Sequence, residues 1–330
     1  MKTRWIDFRS PLADGIRAFL AYKRALRRRF DTEDKALRLL DRYLCDQRIP
    51  DMAAVNAETL ELFLASRPRN QPRSYNHLLG VLRRLFDWLV GQGILVCSPL
   101  RIGPRRATTR RIPFLFDLPL ARRLIQIADQ LQDNSRAPLR AATYRMIFAL
   151  LYGLGLRVGE VSRLHRKDVD LDRQLLIIRD TKFSKSRLVP FGPRMAEALK
   201  KYLLKREQRW GAHQQETPVF SFTRDKPIHP GTISQTFHHL VPQMELNLTA
   251  GFAFPRVHDL RHSFAVGTLL RWYREGINPA DRLLHLSTFL GHVDPTSTAV
   301  YLTVTAELLQ EANQRFARFA ASMAPKGAQR

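Results

Sequence analysis

Between residues 74 and 90 the apolar positions are Leu78, Leu79, Val81, Leu82, Leu85, Phe86, Leu89 and Val90. Steps of three and four residues place them on one stripe of a helix. Gly91 and Gly93 close the pattern and Pro99 follows. Shorter patches at 15–29, 34–45 and 58–65 predict three more helices, and four short helices make a small bundle. Beyond residue 113 the pattern is mixed. Stretches 118–132 and 139–152 read as helices, Gly153 and Gly155 punctuate the second, and another starts at Val158 and runs to Leu164. Residues 175–179 (LLIIR) and 187–191 (RLVPF) are β-rich runs joined by 180–186, a hairpin with a basic tip. Helical patterns resume from Gly192. In 305–323, Leu308, Leu309, Ala312, Phe316, Phe319 and Met323 share one face of an amphipathic helix. That face must dock on this chain or on a neighbour. The expected fold class is mostly α with a small β-sheet (α+β).

A length of 330 residues predicts two domains. The pattern divides them into a helical domain at 1–100, a basic linker at 101–112 and a second domain at 113–330. An apolar share of 45% excludes wholesale disorder. No uncharged apolar run approaches a membrane span. The first ten residues carry no apolar core of a secretory signal. Cys45 and Cys97 lack CxxC spacing, which argues against a disulfide framework or a Cys-rich zinc site and fits a reducing cytosol.

Charge changes the picture most. There are 54 basic and 30 acidic residues, a net charge of +24. Eleven of the basic residues are Lys and forty-three Arg, and only Arg forks onto phosphate. Such a balance points to a polyanion, nucleic acid first. Arg-favouring codons, or a ribosome or membrane surface, are the bland alternatives. Residues 1–112 and 113–330 each carry +12, so the shorter segment is about twice as densely charged. The linker stretch RIGPRRATTRRI holds five Arg and no acid. Arg105, Arg106, Arg110 and Arg111 are therefore candidates for a strap along a phosphate backbone, against the alternative of a solvated loop.

Three islands could carry chemistry. They are Gly155-Leu156-Arg157-Val158-Gly159-Glu160, then His258-Asp259-Leu260-Arg261-His262, then Leu290-Gly291-His292 followed by Tyr301. The hairpin between the first two contributes Lys182, Lys185 and Arg187. Singly, each has a plain reading. Arg157 and Glu160 make a surface ion pair, His258 and Arg261 a solvated helix face, Gly291 a helix cap, Tyr301 a core residue, Lys182 a solvated tip.

Together, and in this order, they resemble the tyrosine recombinases, the phage-integrase and Xer-like family of DNA strand-exchange enzymes. The resemblance with specific motifs covers residues 113–310. Residues 1–112 match only in style, as a helical core-binding (SAM-like) arm before the catalytic domain. The family's Gly-Leu-Arg-x-x-Glu motif falls on Arg157 and Glu160, and its hairpin Lys on Lys182. Its His-x-x-Arg box falls on His258 and Arg261, its Leu-Gly-His box on His292, and its nucleophile on Tyr301. The hairpin reads Thr181-Lys182-Phe183 where the family has Gly-Lys-Gly, so Lys182 and Lys185 both stand as candidates for the acid. The gap from Arg261 to His292 is long, and the extra residues at 271–286 read as an insertion in a helix connection, a candidate interface.

The residue types suit phosphoryl chemistry. Two forked guanidiniums, Arg157 and Arg261, match the non-bridging oxygens of a pentacoordinate phosphorus and can replace the metal ions of many nucleases. Tyr301 would attack, giving a 3′-phosphotyrosyl link that stores the bond energy without ATP. His258 would take its proton and Lys182 would protonate the 5′-oxygen. His292 would bond phosphate, and Glu160 would hold the cations in place. Lys185 and Arg187 are DNA-contact candidates. Asp294-Pro295 reads as the start of a short helix bearing Tyr301.

The resemblance thus implies a recombinase or integrase with no cofactor or metal. It implies double-stranded DNA as substrate and a homo-tetramer on DNA, alone or with related recombinases. It implies no membrane and a cytoplasmic, nucleoid-associated place. The rival readings are a type IB topoisomerase-like enzyme and a non-catalytic accessory DNA-binding protein on the same fold.

Overall fold

The computed structural model describes residues 7–26, 28, 30–106, 113–179, 186–212, 214–223, 225–246, 248, 254–292, 294 and 296–299. Tyr301, Lys182, Lys185, Arg110, Arg111 and the expected helix at 305–323 lie outside them. The chain divides into two compact units, Met1–Arg110 and Arg111–Arg330.

The first unit is a bundle of α1 (Ala13–Ala25), α2 (Asp31–Asp46), α3 (Ala57–Ala65) and α4 (Pro72–Gly91). The stripe read from α4 buries Leu78, Leu79, Val81, Leu82, Leu85, Phe86 and Leu89. It packs on α1 and α2, where Ile16, Phe19, Leu37 and Leu40 are fully enclosed. Pro72 opens α4 at a position whose N–H the helix does not need. Leu100 and Ile102 pack on this same core. The Asn76 side chain bonds both the N–H and the C=O of Arg105. The Arg105 guanidinium lies 3.9 Å over the Tyr75 ring and donates to the Arg69 carbonyl. Residues 101–105, expected as the start of a linker, thus lie along α4. Arg105 bonds within the unit yet is exposed, as is Arg106.

The second unit is built round α6 (Arg140–Gly153), which packs on α5 (Leu118–Asp129), the short α7 (Val158–Ser162), α8 (Pro193–Trp210) and α10 (Asp259–Arg274). Its buried residues, from Thr143 and Tyr144 through Ile147 and Phe148 to Leu151, face several neighbours. A helix walled on several sides has no single apolar stripe. After α7, strands β1 (Val169–Asp170), β2 (Leu175–Ile178) and β3 (Arg187–Pro190) form an antiparallel sheet in the order β1-β2-β3. The register of the hairpin pairs Leu176 with Val189 and Ile178 with Arg187. The sequence reading had only two strands; β1 is two residues long, too short for any periodicity. Beyond α8 come α9 (Pro230–Leu240), α10, α11 (Pro279–Leu290) and α12 (Thr296–Ala299).

The fold is mostly helical with one small sheet, an α+β arrangement, as expected. The helix connection expected across 271–286 is shorter than that reading. Residues 271–274 are the last turn of α10 and 279–286 the first turns of α11, leaving only residues 275–278 as connection. Leu286 is buried beside Leu269 and Val266, with Trp272, Tyr273 and Leu283 packed against them, while Leu284 is exposed.

One glycine fixes the turn out of α6. Gly155 has φ +58°, and a Cβ there would stand 2.5 Å from Phe264 Cδ1 and 3.0 Å from Leu290 Cδ2. Both the backbone and the space exclude a side chain. Gly155→Ala is expected to cost about 2–4 kcal/mol of stability. Gly267→Ala, on the exposed side of α10 with open space around it, should gain about 0.5–1 kcal/mol. Urea unfolding of the two variants checks the contrast.

Candidate active site

The three islands meet at the C-terminal end of α11. Gly291 takes φ +67° and closes the helix, with its N–H on the Thr288 carbonyl and the His292 N–H on that of Ser287. Such a cap leaves the last carbonyls of the helix pointing outward. Three guanidiniums take them in succession. Arg187 Nε donates to Phe289 O at 2.8 Å, Arg261 Nη2 to Leu290 O at 2.6 Å, and Arg157 Nη2 to Gly291 O at 2.9 Å. The negative end of a helix dipole favours cations, and here it gathers them.

Each cation arrives from a different element. Arg157 is the N-cap residue of α7, in the extended conformation that follows the Gly155 turn. Glu160 sits three residues on and accepts from the Arg157 N–H at 2.9 Å and from Arg157 Nη1 at 2.8 Å. Arg187 begins β3 and forks onto the same carboxylate, at 2.8 and 2.9 Å. Arg261 is on the first turn of α10, 1% exposed, and its other arm donates to Gly155 O at 2.6 Å. Two guanidiniums on one carboxylate leave excess positive charge, and Arg261 adds to it. The Glu160 side chain is 2% exposed. Burial alone would raise its pKa, but the Arg187 and Arg157 bonds and charges outweigh that and hold it at about 2. It therefore stays ionised at any working pH.

The imidazoles complete the pocket. His292 Nδ1 lies 2.6 Å from Thr298 Oγ1 on α12. Asp294 caps that short helix by accepting from the Thr296 N–H at 2.9 Å, as its sequence position predicts. If Thr298 donates to Nδ1, the proton of His292 sits on Nε2. His258 precedes α10 and meets His262 edge to face, with ring centres 4.8 Å apart. Loss of water by burial is the first cause lowering all three imidazoles to about 4, and positive neighbours add to it. For His258 these are His262, Arg261 and Arg157, with Asp259 opposing. For His292 they include Arg261, Arg157, His258 and Arg187. His258 stands at the exposed rim, but dense protein on the pocket side still depresses it. At pH 7 all three are neutral, able to accept or share a proton.

Of the residues the sequence singles out, Arg157, Glu160, His258, Arg261 and His292 lie near one another at this helix end. Arg187, a DNA-contact candidate in the sequence, is turned inward. Its side chain is 10% exposed, and it is spent on Glu160 and Phe289. The sequence reading missed Thr298 altogether. The open carbonyls could have been found, because a glycine cap after an apolar helix announces them. Among the described residues no group of three or more His, Cys, Asp or Glu comes together to hold a metal. Nor is any described helix long and apolar enough to cross a membrane.

The profile of the phage integrase family matches residues 121–307. The chain is 37% identical to integrase/recombinase y4rB of Sinorhizobium fredii over 265 residues, 78% of this chain and 83% of that protein. It is 30% identical to tyrosine recombinase XerC of Chlorobaculum parvum over 256 residues, 73% of this chain and 72% of the relative. In fold it resembles the XerH site-specific recombinase bound to palindromic difH substrate, in a post-cleavage complex, with a TM-score of 0.62 and 16% identity over 86% of this chain and 78% of that one. It also resembles the Tn1549 transposon integrase in complex with transposon right end DNA, with a TM-score of 0.62 and 16% identity over 93% and 99%.

The electrostatics yield a measurable expectation. Each of the three histidines has a folded pKa below its unfolded value near 6.5. The unfolded chain therefore binds more protons between about pH 6.5 and pH 4, and stability falls as pH drops through that window. In NMR spectra of the folded protein, the imidazole signals of His258, His262 and His292 should not titrate between pH 7.5 and 5.5. A midpoint near 6.5 for His292 would contradict the pocket described.

Proposed function

The chain belongs to the phage integrase family, enzymes that cut and rejoin DNA in site-specific recombination, and we propose that the pocket at the end of α11 is where it holds the scissile phosphate. The observation that carries this reading is the meeting of Arg157, Arg261, His258 and His292 around one helix terminus. A phosphodiester in that pocket would take hydrogen bonds from both guanidiniums and from His292 Nε2.

In this reading Tyr301 Oη attacks phosphorus and His258 takes the phenolic proton. The bound phosphate makes His258 a better base than it is in the empty pocket, because an anion favours the imidazolium. The bond from phosphorus to the 5′-oxygen breaks, and Lys182 or Lys185 gives that oxygen a proton. A 3′-phosphotyrosyl link and a 5′-hydroxyl result. A 5′-hydroxyl from another strand reverses the steps, and no cofactor is consumed. The first unit would bind double-stranded DNA as the core-binding domain, with residues 106–112 as the link to the catalytic domain. Four copies on two duplexes, alone or with related recombinases, would exchange strands, the 305–323 segment docking between neighbours. The setting would be the cytoplasm, at the nucleoid.

The test is to incubate the protein and its Tyr301→Phe variant with DNA from the gene's own neighbourhood, then denature. Wild type should leave protein joined to a 3′ DNA end, and the variant none. An adduct that persists in Tyr301→Phe removes Tyr301 from the reaction. Arg157→Ala should retain Tyr301-dependent cleavage slowed by about 10²–10³-fold, the range for loss of one donor to a developing oxyanion. Relaxation of supercoils without site preference would instead indicate topoisomerase-like action.

A further inference from the structure

Arg187 is the first residue of β3, directly after the basic hairpin tip, where a solvent-facing cation would be expected. It points inward instead. Its three bonds fall on two groups that hold the phosphate pocket. Nη1 and Nη2 fork onto Glu160, and Nε binds the carbonyl of Phe289. Its guanidinium also crosses directly over Gly291. A Cβ at that glycine would lie 2.7 Å from Arg187 Nη1 and 3.0 Å from its Cζ. Arg187 therefore touches the anchor of Arg157 on one side and the residue before His292 on the other.

We infer that Arg187 is a positioning residue of the reaction, occupying Glu160 and the end of α11 so that Arg157 keeps its outer edge turned to phosphate. The inference rests on the catalytic reading of the Arg157 pocket. Without Arg187, Glu160 would be a buried carboxylate, 2% exposed, with Arg157 as its remaining charged partner. A buried carboxylate demands full pairing. Arg157 can supply that by turning its fork onto Glu160, and the turn takes Nη2 off Gly291 O. The cation then serves the carboxylate at the expense of the substrate. A second guanidinium prevents this. Lys could not do so as well, since one ammonium cannot fork the carboxylate and reach Phe289 O in fixed geometry.

The experiment uses the full chain and the duplex in which the wild-type adduct maps, nicked to trap cleavage. Arg187→Gln should lower the single-turnover cleavage rate at saturating DNA by about 10–100-fold, the usual effect of losing a partner that orients a functional side chain. The Kd for that duplex should stay within about twofold. Adding Glu160→Gln to Arg187→Gln should recover about tenfold of the rate, because a neutral amide no longer draws Arg157 away. A contact that only held β3 in place would show no such recovery. If Arg187→Gln does not fold, as judged by its melting curve, Arg187→Lys carries the test, with a smaller loss again confined to rate.

Three results would overturn the proposal. They are an unchanged cleavage rate, a loss that appears wholly as weaker DNA binding, or a double variant no faster than Arg187→Gln. Absence of a Tyr301-dependent adduct from wild type itself would overturn the catalytic reading first, and this inference with it.

Discussion

Three arginines bound to three consecutive carbonyls at the end of α11 form the interaction round which the second unit is arranged. A helix terminus offers about half a negative charge and a set of open acceptors. Here Arg157, Arg187 and Arg261 come from α7, β3 and α10, elements far apart in the chain. Three like charges would repel at this range. The carbonyls and Glu160 offset the repulsion while leaving the region positive. The same contacts that hold the tertiary structure together therefore also concentrate positive charge beside His258 and His292. Preorganised donors cost no rearrangement when charge develops on a bound group.

This arrangement explains why the small motifs take the form they do. Gly155 must turn the chain against Phe264 and Leu290, which puts its carbonyl under Arg261. Gly291 must both cap the helix and leave room for Arg187 to pass. Glu160 must be a carboxylate able to hold two guanidiniums, and its depression to about 2 is the electrostatic record of that load. The hairpin is secured at its other root as well. Arg179 Nε lies 2.5 Å from Asp168, a carboxylate 3% exposed. Each strand of the hairpin thus meets the tip next to a guanidinium held by a buried acid.

Much of this could be read from the residues alone. The α4 stripe was legible because one face of that helix is buried and the other is not. The Arg157, Arg261 and His292 islands were legible because their residue order is distinctive, even though they meet only in space. What escaped reading has physical reasons. Strand β1 is too short to alternate. The role of Arg187 depends on which way a strand residue points at the sheet's edge, and a basic hairpin tip gives the wrong cue. Thr298 matters only through one hydroxyl on a single-turn helix. Residues 271–286 read as a long helix connection because length was counted between motifs, whereas most of them belong to α10 and α11.

The place of the short connection between α10 and α11 bears on how such a chain can vary over evolutionary time. The twelve residues of α11 span about 18 Å, so the connection at 275–278 lies well away from the carbonyls that the arginines grip. Residues can be gained or lost there while the grip is undisturbed. A single residue added in the last turn would instead rotate those carbonyls by about 100° and shift them by about 1.5 Å, and all three guanidiniums would lose their partners together. Change is cheap at one end of this helix and ruinous at the other, so drift in the length of α10 and α11 can collect far from the chemistry.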